Sequence, residues 1–358
     1  MKPISTAAKR TLVPLLAAVL ASIALVSTGA ALASAPAPGG ALLTFIDDSR
    51  TLNPKVELAD ANGANARTLG PGSSAALAPN AGSVAVVQQL PPADDATSEL
   101  LVYPVGGGTP ARLYHCPGFL TLYGWSADSQ LILATCPHGL QDRGPLLAIN
   151  ADGGSVTTLA TGVIEGASFA PGASNDVVYA LARSQLLISP VNLYTTSATG
   201  AGTHQITHGW VATNPVWAAG RIVFARTTSR GKTIAPINQL WSIKPNGSGA
   251  RQLTQMKVDP LAEGLVPFAV SANGKHLLCG FTGTDQSASY AVTLGGRTAA
   301  VRLLLGTQTV PDAISRGGGS VLLTNGFEGE PTSVESVPWS GGKPTVLAPH
   351  ATGASWSE

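Results

Sequence analysis

The sequence predicts an all-β fold, a seven-bladed β-propeller of four-stranded antiparallel blades, closed by pairing of the N- and C-terminal strands. Three observations predict it. A turn glycine recurs at Gly63, Gly107, Gly153, Gly200, Gly247, Gly296 and Gly341, with spacings of 44, 46, 47, 47, 49 and 45 residues. A bulky apolar residue followed by Ser or Ala keeps phase with it, at Leu77, Trp125, Phe169, Trp217, Val270, Ile314 and Trp356. Between the markers lie short apolar runs and turn residues, with no helical periodicity. An irregular sandwich has turns at similar intervals but no reason to hold two markers in phase.

The clearest copy of the unit is Asn238–Thr254, NQLWSIKPNGSGARQLT, followed by Leu265–Thr282, LVPFAVSANGKHLLCGFT. It predicts a strand over Leu240–Lys244, a turn at Asn246-Gly247 and a strand over Ala250–Thr254. A second hairpin then turns at Asn273-Gly274. Glycine is required in such turns because the backbone there takes positive φ, which side chains disfavour. A leucine or isoleucine ends the following strand, at Leu69, Leu113, Leu159, Ile206, Leu253, Leu303 and Leu347.

The termini predict how the ring closes. Ala351–Glu358 (ATGASWSE) holds only the innermost strand of a blade, and Ala41–Asp48 (ALLTFIDD) reads as its missing second strand. Their pairing completes the seventh blade and removes an open sheet edge.

Residues 1–35 read as a signal peptide. Lys2, Lys9 and Arg10 form the basic n-region, Thr11–Leu32 is almost entirely apolar, and Ala31-Leu32-Ala33 or Ala33-Ser34-Ala35 offers a cleavage site. An uncleaved anchor is the competing reading, since the apolar run is long enough to span a bilayer. Residues 36–40 are a linker, and 41–358 are the propeller. A periplasmic or extracellular, envelope-associated location is expected, with no integral membrane segment after cleavage.

Composition narrows the function. Charged residues make up 11% of the chain and the formal net charge is +1, which leaves no basic footprint for nucleic acid. Glycine (41) and proline (26) fall at the turns of the repeat. The long polar connections Gln88–Glu99, Thr227–Asn238 (with Arg230 and Lys232) and Gln255–Gly264 lie where a propeller carries face loops. A monomer is expected.

Candidate site residues are few. The innermost strands carry Glu165 and Asp312 as ionisable groups, with Asn214 as an added oxygen ligand; together they could line a channel mouth and hold a cation such as calcium. No other cofactor is expected, and no catalytic residue or metal site is assigned. Cys116 (YHCP) and Cys136 (ATCP) flank one strand and are a disulfide candidate in an oxidising compartment, whereas Cys279 reads as a buried small hydrophobe. His204 and His208 share a strand end without a third ligand, and His115 and His138 sit beside the cysteines. Trp125, Trp217 and Trp356 share one repeat phase and read as core wedges. Trp210 and Tyr194 read as exposed aromatics.

The phrases ELADANGANARTL, LAINADGGSVTTL, LWSIKPNGSGARQLT and FAVSANGKHLL resemble the TolB-type propeller repeat, a relative of WD-type repeats. The likeness extends over Ala41–Glu358. It implies a propeller but says little about function, since such repeats occur in envelope scaffolds, sugar lyases and the propellers of serine peptidases. TolB itself carries an α/β domain ahead of a six-bladed propeller; here the first blade is expected to follow the leader directly, and a hydrolase domain after the last blade is not expected.

The leading expectation is an exported, non-catalytic propeller that acts as a protein-interaction or ligand-binding scaffold of the cell envelope. One alternative is a lyase or hydrolase at the channel mouth, built on Glu165, Asn214 and Asp312. Another is a carbohydrate-binding propeller using Trp210 and Tyr194.

Overall fold

The computed structural model describes residues 41–49, 53–91, 97–137, 143–172, 174–182, 189–218, 220–228, 237–257, 262–283, 286–326 and 331–357. All belong to the compact unit Ser34–Glu358. The expected signal peptide and linker, His138, Arg230, Lys232 and parts of the three long connections lie outside the described residues.

Strands follow one another throughout. The first sheet pairs β27 (Ala351–Ser357) with β1 (Leu42–Asp47), then β2 (Lys55–Asp60) and β3 (Arg67–Pro71). The second contains β4 (Ser74–Leu77), β5 (Ser83–Leu90), β6 (Thr97–Pro104) and β7 (Ala111–Cys116). Next come β8 (Thr121–Trp125), β9 (Leu131–Thr135), β10 (Arg143–Asn150) and the long β11 (Val156–Phe169). Strand β11 bends on into a further unit with β12 (Asp176–Ala182), β13 (Val191–Ser197) and β14 (His204–Gln205), giving one seven-stranded sheet.

The next sheet joins two units. One is β15 (Ala212–Ala218), β16 (Arg221–Thr228), β17 (Ile237–Ile243) and β18 (Arg251–Gln252); the other is β19 (Ala262–Val270), β20 (His276–Gly283), β21 (Gln286–Thr293) and β22 (Ala300–Leu303). A single parallel contact, Asn238 to Gly264, connects them. The last sheet is β23 (Thr309–Ile314), β24 (Ser320–Asn325), β25 (Ser333–Pro338) and β26 (Thr345–Pro349).

The second strands explain the apolar runs of the sequence. Val321, Leu322 and Leu323 of β24 are consecutive and each 0% exposed. In a sheet with one wet face burial alternates; here both faces are covered by the neighbouring units. The outermost strands β3, β22 and β26 are largely exposed, with the apolar side chains of Leu303 and Val346 among their exposed positions.

The outer strand β18 is shorter than its sequence predicts, Arg251–Gln252 rather than Ala250–Thr254. A side chain takes over the ladder: the Leu240 N–H donates to Thr254 Oγ1 at 2.9 Å, and the Thr254 hydroxyl donates to Gln239 Oε1 at 2.9 Å. The same substitution occurs one unit earlier, where the Leu193 N–H donates to Thr207 Oγ1 at 2.8 Å. This is the physical content of the Leu-Thr and Ile-Thr endings of the repeat.

The first strands of the units, β27, β4, β8, the second half of β11, β15, β19 and β23, contact one another in that order, and β23 contacts β27 in turn. Each opens its unit in the same way, so all run in one direction along the interior. Pairing of β27 with β1 is antiparallel, from Leu42 opposite Ser357 to Asp47 opposite Ala351. Among the described residues no helix is long and apolar enough to cross a membrane.

Candidate binding site at the channel mouth

The inner strands other than β4 share a second feature: their pairing slips. Registers shift between Leu122 and Gly124, Ile164 and Ala167, Thr213 and Val216, Pro267 and Ala269, and Pro311 and Ala313. On β27 the shift falls opposite Thr44–Ile46. A bulge leaves one residue out of the ladder and re-aims its side chain. The residues left out of the ladder are Tyr123, Glu165 with Gly166, Asn214 with Pro215, Phe268, Asp312, and Gly353 with Ala354.

These bulges shape a central cavity of about 550 Å³, lined by residues of all the inner strands. Asn214 takes φ of +49°, a left-handed conformation that asparagine tolerates. Across from it Gly166 has φ of +116°, and a Cβ there would stand 2.7 Å from the Asn214 Cα. Glycine is therefore a packing requirement at this crossing.

The structure divides the sequence-predicted trio. Asn214 and Asp312 both line the central cavity. Glu165 lines a neighbouring opening with Phe119, Thr121 and Tyr123. Burial and the Glu165 charge push the Tyr123 hydroxyl up to about 12. Among the described residues no three of His, Cys, Asp and Glu are grouped to hold a metal ion.

Asp312 is built into the wall. The Thr324 hydroxyl donates to its Oδ2 at 2.8 Å, and the backbone N–H groups of Gly353 and Ala354 also reach its carboxyl. The Gly353 N–H donates in addition to Thr324 Oγ1 at 3.2 Å. Burial raises the Asp312 pKa to about 7 against the lowering effect of these donors. The side chain keeps partial surface toward the cavity, but protein encloses it on its other sides. Its donors come from β24 and β27, so the carboxyl ties the last sheet to the terminal one.

The rest of the channel wall is mixed: Ser74, Thr121, Tyr123 and Ser355 line it beside apolar side chains. Ala75, Leu122, Ala167, Val216, Val270 and Ile314 contribute to its wall. Phe268, itself a bulge residue, is 50% exposed inside it. Phe119, just before β8, is 60% exposed and Val310, near the start of β23, is 45% exposed. Sequence reasoning searched these strands for ionisable groups and so passed over Phe268, Phe119 and Tyr123. The available signal was phase: Tyr123, Phe268 and Asp312 each stand two residues before their repeat marker.

No protein-family model matches the sequence, and no curated protein matches it. Solved structures do. The β-propeller domain of the Trilobed protease from Pyrococcus furiosus aligns with a TM-score of 0.63 at 10% identity, over 87% of this chain and 92% of that one. TolB from Acinetobacter baumannii aligns with a TM-score of 0.55 at 14% identity, over 85% and 79%. An oligogalacturonate lyase in complex with manganese aligns with a TM-score of 0.56 at 15% identity, over 78% and 81%. The fold is a TolB-like β-propeller. At these identities the likeness carries the fold and not the activity.

The remaining predicted residues sit elsewhere on the TolB-like propeller. Trp210 is half-buried rather than exposed, stacked on Phe224 with centroids 6.0 Å apart and 5.8 Å from Trp241. The Arg226 guanidinium lies 3.9 Å from the Trp210 ring centroid and 4.4 Å from that of Trp241. Two strands and a connection thus converge on an indole that its sequence neighbours alone leave open. Tyr194 is likewise half-buried, stacked on Tyr179 at 5.4 Å with its hydroxyl donating to Gln205 Oε1 at 3.1 Å. Both aromatics hold the blades together.

Cys116 closes β7 and Cys136 follows β9; their Cα atoms are 5.7 Å apart and the sulfurs are bonded, joining the second sheet to the third. Cys279 is buried, and burial raises its thiol pKa. His204, on the edge strand β14, and His208, beyond its end, are both exposed. His115 stands 3.8 Å from Glu99, which also pairs with Arg112 at 3.0 Å.

Proposed function

We propose that the protein is an exported, non-catalytic β-propeller that holds a protein partner of the cell envelope across the channel-mouth face. The observation that carries this reading is the contrast between the two kinds of residue at that face. The acid that lines the channel, Asp312, is committed to Thr324, Gly353 and Ala354, while Phe119, Phe268 and Val310 present apolar surface. Aromatic side chains placed in a concave surface are the usual anchors of a protein interface.

The ring itself is read as seven-bladed and closed. Supporting this are the circuit of contacts among the inner strands and the β27–β1 pairing. Export is supported by the basic and apolar leader and by the Cys116–Cys136 bond, which persists in an oxidising compartment. The lyase or hydrolase alternative requires Glu165, Asn214 and Asp312 to act on one substrate. It is disfavoured by the place of Glu165, which lines the neighbouring opening while Asn214 and Asp312 line the central cavity.

The test is affinity purification from the native envelope with the wild type and a Phe119→Ser/Phe268→Ser/Val310→Ser variant. These side chains are exposed, so the variant folds. A stoichiometric envelope protein recovered by the wild type and lost by the variant supports the reading. Equal recovery by both overturns it.

A further inference from the structure

The opposite face carries a site of different chemistry. Strands β15 and β19 run away from the mouth, and beyond their ends a cavity of about 440 Å³ opens between the β15–β18 and β19–β22 units. Arg221, Arg251 and Lys275 reach its rim, Val223, Leu253 and Leu294 form an apolar floor, and no carboxylate lines it among the described residues.

Comparison among the units shows why the cavity is there. Arg67, Arg251 and Arg302 occupy one equivalent position on the outer strands, opposite Leu58, Ser242 and Ala291. In two junctions this arginine crosses to the next unit and donates to a turn carbonyl, Arg67 to Val105 and Arg302 to Trp339. The matching residue of the middle junction is Leu294, since Val105, Leu294 and Trp339 make the same backbone bond, to Gly82, Lys275 and Gly319.

Arg251 does not make that crossing. Its Nε donates to Ser242 Oγ at 3.4 Å, the hydroxyl to which Arg221 Nε also donates at 3.1 Å. Two guanidinium groups thus converge on one small oxygen. Burial and the nearby Arg251 charge lower the Arg221 pKa. The Lys275 side chain adds a third cation, in a chain whose net charge is only +1. Like charges gathered without an acid are mutually repelling, and an anion among them relieves the repulsion while gaining charge-assisted hydrogen bonds.

We infer that this junction binds a small organic anion, its carboxylate or phosphate head among Arg221, Arg251 and Lys275 and its apolar body on Val223, Leu253 and Leu294. The cavity volume lies within the range of small-ligand pockets. Arg221 also donates to the backbone carbonyls of Ser242 and Gly249. It is therefore part of the scaffold as well as of the site, whereas Arg251 and Lys275 are exposed and can be replaced without loss of packing.

The experiment is isothermal titration of the purified protein with phenyl phosphate, benzoate, inorganic phosphate and phenol. Phenyl phosphate, benzoate or both should bind saturably at one site, at least about tenfold more tightly than inorganic phosphate, with no binding of phenol. Arg251→Ala and Lys275→Ala should each weaken binding by about tenfold, the lower bound for a charge-assisted hydrogen bond, and added salt should weaken it further. The stronger of the two probes identifies the head group. Absence of saturable binding overturns the inference, as does equal affinity for inorganic phosphate or unchanged affinity in the Arg251→Ala/Lys275→Ala double variant. Because the mouth-face residues are untouched, this outcome is independent of partner capture there.

Discussion

The Thr324 hydroxyl donates to Asp312 Oδ2 at 2.8 Å while the Gly353 N–H donates to the same hydroxyl at 3.2 Å. Three strands, β23, β24 and β27, thus meet at one carboxyl. The arrangement makes Asp312 a pH-dependent joint of the terminal blade.

Its folded pKa of about 7 lies above the ordinary 3.8. The folded chain therefore holds this proton more tightly than the unfolded one. The contribution of the group to stability is greatest below pH 3.8, declines as pH rises toward 7, and is constant above that. The loss is on the order of 2 kcal/mol once solvent access through the channel is allowed for. Denaturant unfolding at pH 5 and pH 8 should show this slope in the wild type and a reduced slope in Asp312→Asn. An identical slope in both would refute the assignment.

Thr254→Val should destabilise the protein by about 1 to 2 kcal/mol, because the Leu240 N–H loses its acceptor in a buried position. Thr254→Ser keeps the hydroxyl and should cost less. Chemical denaturation midpoints of the two variants check the order, and a Val variant as stable as the Ser variant would show that the hydroxyl does not carry the ladder.

The Cys116–Cys136 bond closes a loop with a sequence separation of 20. Chain entropy gives it about 3 kcal/mol of stabilisation. The Cys116→Ser/Cys136→Ser variant should lose that amount in denaturant unfolding. Non-reducing peptide mapping of the exported protein should recover the linked peptide; free thiols at both positions would place the protein in a reducing compartment instead.

The architecture was legible because it is periodic. Gly247, with φ of +80°, sits in the turn its Asn-Gly pair predicts, and the apolar runs became second and third strands. The β27–β1 pairing was also legible, since Ala351–Glu358 and Ala41–Asp48 are complementary fragments of one unit. The site was less so. A bulge is a property of two strands in register, and nothing in Val310–Ser315 alone shows that Asp312 leaves the ladder. Nor does THQITHGWVATN show that Arg226 and Trp241, from other strands, close over Trp210. The departure of Arg251 from the path taken by Arg67 and Arg302 is likewise a choice among carbonyl and hydroxyl acceptors made in three dimensions.

Partner capture at the mouth is the central claim, and site-resolved photocrosslinking in the native cell tests it most directly. A photoreactive residue would replace Phe119, Phe268 or, as the outer-rim comparison, Val346, which is 56% exposed on β26. The account predicts one discrete protein adduct from positions 119 and 268 and none from 346. Adducts from 346 alone, or none at the two mouth positions, would contradict it.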